Sequence, residues 1–491
     1  MNPTISRRPV EFLLTRWLMI LFVLCALPTG ILLAFRTPIA QVADEPAHIA
    51  RAGGLLTGQI LGFRITLTDP KTKFKFPISG VDANAGLVSA SIAEYAPGPP
   101  HALSPKRLAA ARAITWSKSQ EFDVAPNTVQ YFPFFYLPGS IGIEFARLTG
   151  HRPLASLYAG RLLMLLSYVG MGAAALFFAA WGRGVLFTVL MMPMALSLGA
   201  SFNQDGQLFA ATALGCALLT ADPARFRRRR LIGVILLVLL ICSKPPYGML
   251  LFVALVPLAS PNLIRRALKL SLFAIPPIVW VVLMMIFSMV IFNWPAYHPG
   301  PLWPGSPDRI FHGTSPPDNL RVLLAHPLDI IILPVKLLID QTSFFLRSGV
   351  GMLGWLSIDL HQWQYDGWYA ATIIALLGLL CACADWRIIP ADTLFVLALV
   401  LFTIVAIELA QYLSWTKVGY AEIQGVTGRY LLLLVPFLIL AAPRLGERID
   451  RATNRPGIAA RLEAVSAIPA AIMAILDIRA LPQLIGHIFH T

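Results

Sequence analysis

The chain offers one apolar run after another that is long enough to cross a lipid bilayer, and this pattern removes most folds from consideration. About 20 apolar residues span a bilayer. The candidates are residues 17–35, 154–180, 185–201, 208–221, 268–292, 368–384, 391–413 and 430–442, with a weaker one at 468–488 that Asp477 and Arg479 interrupt. In lipid every backbone polar group must be bonded within the protein, so such runs become helices. Of the 491 residues, 57% are hydrophobic and 13% charged, against roughly 25% charged in soluble proteins. The expectation is an all-α membrane protein whose solvent is largely the bilayer.

Residues 231–260 are apolar but broken by Ser243-Lys244-Pro245-Pro246, and consecutive prolines stop a helix. Basic clusters flank both ends, at 227–230 and 265–269. Two short crossings keep both clusters on one side, as the preference of Lys and Arg for cytoplasmic loops requires. This gives about eleven crossings (range 10–13) in one polytopic membrane domain covering residues 1–491. Parity places the N-terminus, Arg183, Arg225 to Arg230, Arg265, Asp385, Arg387 and Arg444 to Arg461 inside. Residues 36–153 then form one large external loop of short interfacial helices, in which 131–145 dips into the membrane without crossing. Residues 327–346 read as interfacial or re-entrant.

Three arginines, Arg7, Arg8 and Arg16, precede the first apolar run in the manner of a signal peptide. The run is 19 residues long, beyond the roughly 7–15 of a signal core, and reads as a retained first helix. The net charge of +14 sits in short clusters between apolar runs. That is the signature of membrane orientation, not of a nucleic-acid-binding face. The five cysteines lie in or beside apolar segments and read as buried thiols,.

Residues able to carry chemistry gather on the external side. Asp44-Glu45-Pro46-Ala47-His48-Ile49-Ala50-Arg51 follows the first helix. Pro46 suits a first helical turn, and Asp44, His48 and Arg51 share a helical face. A carboxylate there can act as a general base or hold a cation, and His48 can tune it or hold a phosphate. The ordinary alternative is a capped interfacial helix. Asp205, in Ser201-Phe202-Asn203-Gln204-Asp205-Gly206, is a second carboxylate or an N-cap,. Lys244, before Pro245-Pro246-Tyr247, is a phosphate partner or a snorkelling residue. Arg429, in Gly425-Val426-Thr427-Gly428-Arg429-Tyr430, is a bidentate phosphate ligand or a surface anchor. Two motifs read as architectural: Tyr131-Phe132-Pro133-Phe134-Phe135-Tyr136-Leu137-Pro138 and Gly351-Met352-Leu353-Gly354-Trp355.

In order along the chain, these segments, with Arg161-Leu162-Leu163, resemble a bacterial membrane-protein family catalogued as domain of unknown function 2142. Ser357-Ile358-Asp359 departs from the acidic residue, Thr and Pro usual in that family. The layout in turn resembles the C superfamily of glycosyltransferases, which carry an essential carboxylate soon after the first helix.

That resemblance implies an inverting transferase of the bacterial inner membrane, working on the periplasmic face. The donor would be a polyprenyl-phosphate-linked sugar and the acceptor a glycan or lipid. Asp44 would be the base, Glu45 its neighbour and Asp205 the second acid. Lys244 and Arg429 would clamp the lipid phosphate, with His48, Arg51 and Tyr247 completing the substrate-binding set. The resemblance names no definite cofactor and leaves a divalent cation as a candidate. A glycan or lipid transporter, and a non-catalytic partner in polysaccharide assembly, remain alternative readings of the same residues.

Overall fold

A computed structural model describes residues 8–68, 73, 75–95, 99–290, 314–382, 389–442, 445–455 and 457–490. Cys383, Asp385, Arg387, Arg444 and the Pro- and Trp-rich loop after residue 292 lie outside the described residues. Helix α1 (Arg8–Arg36) leads into a cap made of α2 (Glu45–Leu56), β1 (Phe63–Thr68), β2 (Lys75–Asn84), α3 (Ala85–Ala93), α4 (Pro105–Ala113) and β3 (Gln120–Val124). A 3-10 turn, Pro133–Tyr136, and α5 (Leu137–Leu148) return the chain to α6 (Pro153–Phe178). Next come α7 (Arg183–Met191), α8 (Pro193–Gly199), α9 (Gln204–Leu219), α10 (Arg227–Ser243) and a 3-10 segment, Pro245–Leu255. The rest is α11 (Leu263–Ser271), a 3-10 turn, Leu272–Ala274, α12 (Ile275–Phe287), α13 (Pro316–Ala325), α14 (Asp329–Asp340), α15 (Thr342–Gly351), the short pair β4 (Met352–Leu353) and β5 (Ile358–Asp359), α16 (Gln362–Leu379), α17 (Pro390–Trp415), α18 (Gly428–Leu432), a further 3-10 stretch, Val435–Ala441, α19 (Gly446–Ala452), α20 (Ile458–Val465) and α21 (Ile468–Phe489).

The body is a run of packed neighbours: α21 on α1, α1 on α6, α6 on α9, α9 on α10, α10 on the 3-10 segment, and that segment on α17. Its outer surface is apolar. Ile275, Ile278, Val279, Val282 and Ile286 of α12, and Leu394, Leu397 and Leu401 of α17, are all exposed. An exposed apolar surface of this kind belongs in lipid. Asp477, which seemed to weaken the last crossing, is fully buried and accepts from Gln364 Nε2 at 2.7 Å and Trp368 Nε1 at 2.8 Å. A paired polar group inside a helical bundle is compatible with a membrane segment.

Among the described residues, five helices are long and apolar enough to cross a bilayer, or up to seven if each bent pair is one span. The other expected crossings are shorter or broken elements. Residues 185–201 divide at Pro193 into α7 and α8. The pair α13 and α14 bends by 105°, the geometry of a broken span or of a re-entrant loop. Helix α5, 12 residues long, reaches about 18 Å, short of the roughly 30 Å hydrocarbon core. It lies along α6 with Leu137, Ile141, Phe145 and Leu148 exposed on its outer side. Residues 231–260 form two antiparallel arms. Arg230, near the start of α10, donates to Val256 O, just past the end of the 3-10 segment, at 2.7 Å, while Arg266 donates to Leu255 O at 2.6 Å. Both basic clusters therefore lie at one end, with Lys244 at the tip between the arms.

The cap differs from the short helices expected of residues 36–153. It contains a three-stranded antiparallel sheet, ordered β1-β2-β3, with Ile65 opposite Ile78 and Val81 opposite Asp123. The cause is local: Phe63-Arg64-Ile65-Thr66-Leu67-Thr68 alternates side by side with a period of two, which is strand patterning.

Contacts tie the basic loops to one another. Ala180 N donates to Thr220 Oγ1, Gly182 N to Glu463 Oε1 and Leu258 N to Asp392 Oδ1. Single cysteines placed at exposed Lys118 and Lys417 should thus react with an impermeant maleimide from one side of the membrane, and those at Arg225 and Arg451 from the other. Labelling of positions 118 and 225 from the same side would contradict this two-ended arrangement.

Candidate functional site at the capped end

The end opposite the basic loops brings together four of the charged residues singled out in the sequence. Asp44 sits at the N-cap position of α2 with φ 62° and ψ 1°, and its side chain makes no capping bond. Its carboxylate instead meets Arg429 Nη2 at 2.8 Å and accepts from Asn127 Nδ2 at 3.3 Å. Lys244 Nζ lies 2.7 Å from Asp205 Oδ1. Arg429 Nε stands 3.8 Å from Asp205 Oδ2. Asp205 is thus the shared counter-ion of both cations. Its side chain is 4% exposed, that of Asp44 29%, so Asp44 is the carboxylate that opens outward.

Each charge is delivered by a break in a helix. Asn203 caps α9, accepting from Asp205 N at 2.9 Å, and donates to Ala43 O at 3.0 Å beside Asp44. Gly206 follows, where a Cβ would stand 2.4 Å from Gly199 N. Only glycine lets the start of α9 approach the end of α8 so closely. Gly428 does the same before Arg429, since a Cβ there would stand 2.0 Å from Phe345 O. Lys244 occupies the α10 terminus that Pro245 and Pro246 enforce. Its ammonium lies 4.6 Å from the centre of the Tyr430 ring and 5.6 Å from that of Tyr131, a cation–π setting that compensates for lost water.

Burial pulls the His48 imidazole down to about 4, despite the opposing pull of Asp44 and Asp205. It is therefore neutral at physiological pH, with Nδ1 2.7 Å from the Tyr136 hydroxyl. Burial opposes ionisation of Asp205, but Lys244 and Arg429 outweigh it and hold the carboxyl below its usual range. Burial also pushes the Tyr131 and Tyr136 phenols well above their usual value, so neither competes as an acid or base.

Three residues assigned to the site do other work. Glu45 is fully buried and faces Arg161: Nε to Oε1 is 2.7 Å and Nη2 to Oε2 is 2.5 Å. It also accepts from Ala40 N and Phe202 N, which commits it to the framework. Arg51 donates to the carbonyls of Tyr131, Gln59 and Ile60, so it braces the aromatic segment behind the site. The Tyr247 hydroxyl donates to Tyr430 O at 2.8 Å and steadies the turn carrying Arg429. Conversely, the two motifs read as architectural border the site. Tyr131 and Tyr136 wall it. Ala43 N donates to Gly354 O and Trp355 Nε1 to Ala40 O, which fixes the turn before Asp44. Their aromatic content at a membrane edge disguised these roles.

The donor set does not suit a divalent cation. Both carboxylates already face Lys244 and Arg429, and among the described residues no group of three His, Cys, Asp or Glu side chains is placed to hold a metal.

An apolar helical body bearing a charged cluster at one end defines a multi-pass membrane protein. Residues 27–438 match the family model described as predicted membrane protein, DUF2142, and the chain belongs to that family. No curated protein and no solved structure matches it.

Glu45→Gln should leave the Arg161 charge buried without a counter-charge. The expected loss is about 3–5 kcal/mol, read as a lower melting temperature in detergent. Wild-type melting would show that the pair does not secure the cap.

Proposed function

We propose that the protein is an inverting glycosyltransferase that takes a sugar from a polyprenyl-phosphate donor and passes it to a glycan or lipid acceptor on the periplasmic face of a bacterial inner membrane. The observation that carries the reading is the pairing of one outward-opening carboxylate, Asp44, with two nearly buried cations, Lys244 and Arg429, at a single end of a membrane protein. The lipid tail of such a donor lies in the bilayer, and its phosphate then reaches the membrane surface beside these cations.

Asp44 accepts the proton of an acceptor hydroxyl as that oxygen forms a bond to the anomeric carbon. The bond from that carbon to the phosphate oxygen breaks, and the electron pair leaves with the polyprenyl phosphate. Lys244 and Arg429 stabilise the charge that builds on the phosphate. Asp205 acts as a positioning residue, holding both cations in place. Neutral His48, fixed against Tyr136, shapes the wall behind Asp44.

A carrier for a glycan or lipid is the second reading, and Glu408 favours it. This carboxyl is fully buried in α17 and neither oxygen has a hydrogen-bond partner among the described residues. Isolated acids inside membrane helices often carry protons.

Two substitutions separate the readings, with polyprenyl-phosphate sugar as donor and equal amounts of folded protein. Asp44→Asn retains shape and suits the left-handed backbone, yet transfer should fall by roughly 10²–10⁴-fold. Glu408→Gln should leave transfer within about twofold of wild type, since a neutral isostere preserves packing. Near-normal transfer by Asp44→Asn removes Asp44 from catalysis. An absence of transfer by wild type, with glycan export abolished by Glu408→Gln, establishes the carrier instead.

A further inference from the structure

Asp44 is held in the cluster on weaker terms than its neighbours. Its backbone lies in the left-handed region at φ 62°, which Asp tolerates at some cost. Its carboxylate has one short contact, 2.8 Å to Arg429, and one long one, 3.3 Å from Asn127. Arg429 is also incompletely satisfied, because its Nε has no hydrogen-bond partner among the described residues. The same holds for both amide atoms of Gln204, beside Asp205, for Ser243 Oγ, beside Lys244, and for Thr427 Oγ1, two residues before Arg429. Buried polar groups are nearly always paired. Of these atoms, Arg429 Nε belongs to the charged cluster itself, 3.8 Å from Asp205 Oδ2.

The Asp44–Arg429 contact has a chemical consequence. Arg429 Nη2 at 2.8 Å and Asn127 Nδ2 at 3.3 Å occupy Oδ2 and Oδ1 of Asp44, the oxygens an acceptor hydroxyl would have to reach. As a general base, Asp44 works only after it parts from Arg429. A phosphate group is a stronger suitor for Arg429, since it offers several anionic oxygens to a planar, forked donor.

We propose that the Asp44–Arg429 ion pair is a latch that the donor phosphate opens. The phosphate takes Arg429, shares Lys244, and frees Asp44 to face the acceptor hydroxyl. This inference rests on the donor reading above and deepens it: the base is released only on a protein that already holds donor, so donor binds before acceptor. Opening is a conformational exchange of partners, with no bond made or broken. Only the Asp44 side chain has to turn, because Gly354 O holds the Ala43 amide on one side and Arg161 holds Glu45 on the other.

The test uses sugar-free polyprenyl monophosphate, so that no transfer takes place, and the full chain in detergent. Affinity is measured for wild type, Asp44→Asn, Arg429→Gln and the double variant, each checked by thermal melting. Removing the competing carboxylate should tighten binding by about three- to tenfold. The gain should vanish in the Arg429→Gln background, where Lys244 still provides measurable affinity. Arg429→Lys, with a point charge instead of a fork, replaces Arg429→Gln if that variant does not fold, and should reduce the gain. A gain that persists in full without Arg429 reflects long-range charge and overturns the latch, as does unchanged or weaker binding by Asp44→Asn. If wild type binds the phosphate no better than a neutral polyprenol and Arg429→Gln changes nothing, the donor reading itself fails.

Discussion

The geometry of the capped end depends on one buried guanidinium. Arg161 projects from α6 with no exposed surface and spends its donors on Glu45 and on the carbonyls of Ala34, Thr37 and Pro38. These partners are the last turn of α1, the connection after it and the first residue of α2. A charge this deep survives only when every donor is engaged. The network therefore specifies one path for the chain between α1 and α2, and the direction in which Asp44 emerges follows from it. Glu45 extends the tie to Phe202 N, two residues before α9, so the Asp205 turn is fixed to the same frame.

The outer cluster obeys a different balance. Asp44 and Asp205 match Lys244 and Arg429 charge for charge, so burial costs less than it would for any of them alone. The compensation is uneven. Asp205 lies between both cations, while Asp44 keeps a single close cation and an open side. Rigidity on one carboxylate and freedom on the other is what a site needs if one acid positions charge and the other exchanges a proton. Neutral His48 adds no third cation, which leaves the charge balance undisturbed.

Much of this was legible in the sequence, for physical reasons. Hydropathy and basic loops report on the bilayer directly, so the two-ended arrangement and the antiparallel arms around Lys244 followed from charge clusters alone. The cap was harder. Its strands alternate with a period of two over only a few residues, and a reading tuned to 20-residue apolar runs passes over them. Side-chain partners were harder still. Asp44 and Glu45 are adjacent and chemically alike, yet one faces Arg429 and the other Arg161. A turn at φ 62° separates their directions, and helical spacing carries no sign of it. For the same reason Arg51, placed by periodicity on the face of Asp44, ends on main-chain carbonyls.

The count of crossings and the location of the site are two sides of one fact. Asp44 follows the end of α1, Asp205 follows the α8–α9 break, Lys244 precedes the double proline, and Arg429 opens the short α18. Every charge of the cluster arrives at an interruption in apolar structure, and three of these interruptions divide segments that otherwise read as crossings or their edges. Broken backbone is tolerated at membrane depth only where protein encloses it and supplies its hydrogen bonds. Here Asn203, Ser348 and Tyr247 do so, through Asp205 N, Gly428 N and Tyr430 O. The breaks shorten the helices below spanning length and, in the same stroke, turn helix ends and their side chains toward a common point. A bundle of uninterrupted spanning helices would satisfy the hydropathy equally well but would carry these four residues on separate surfaces.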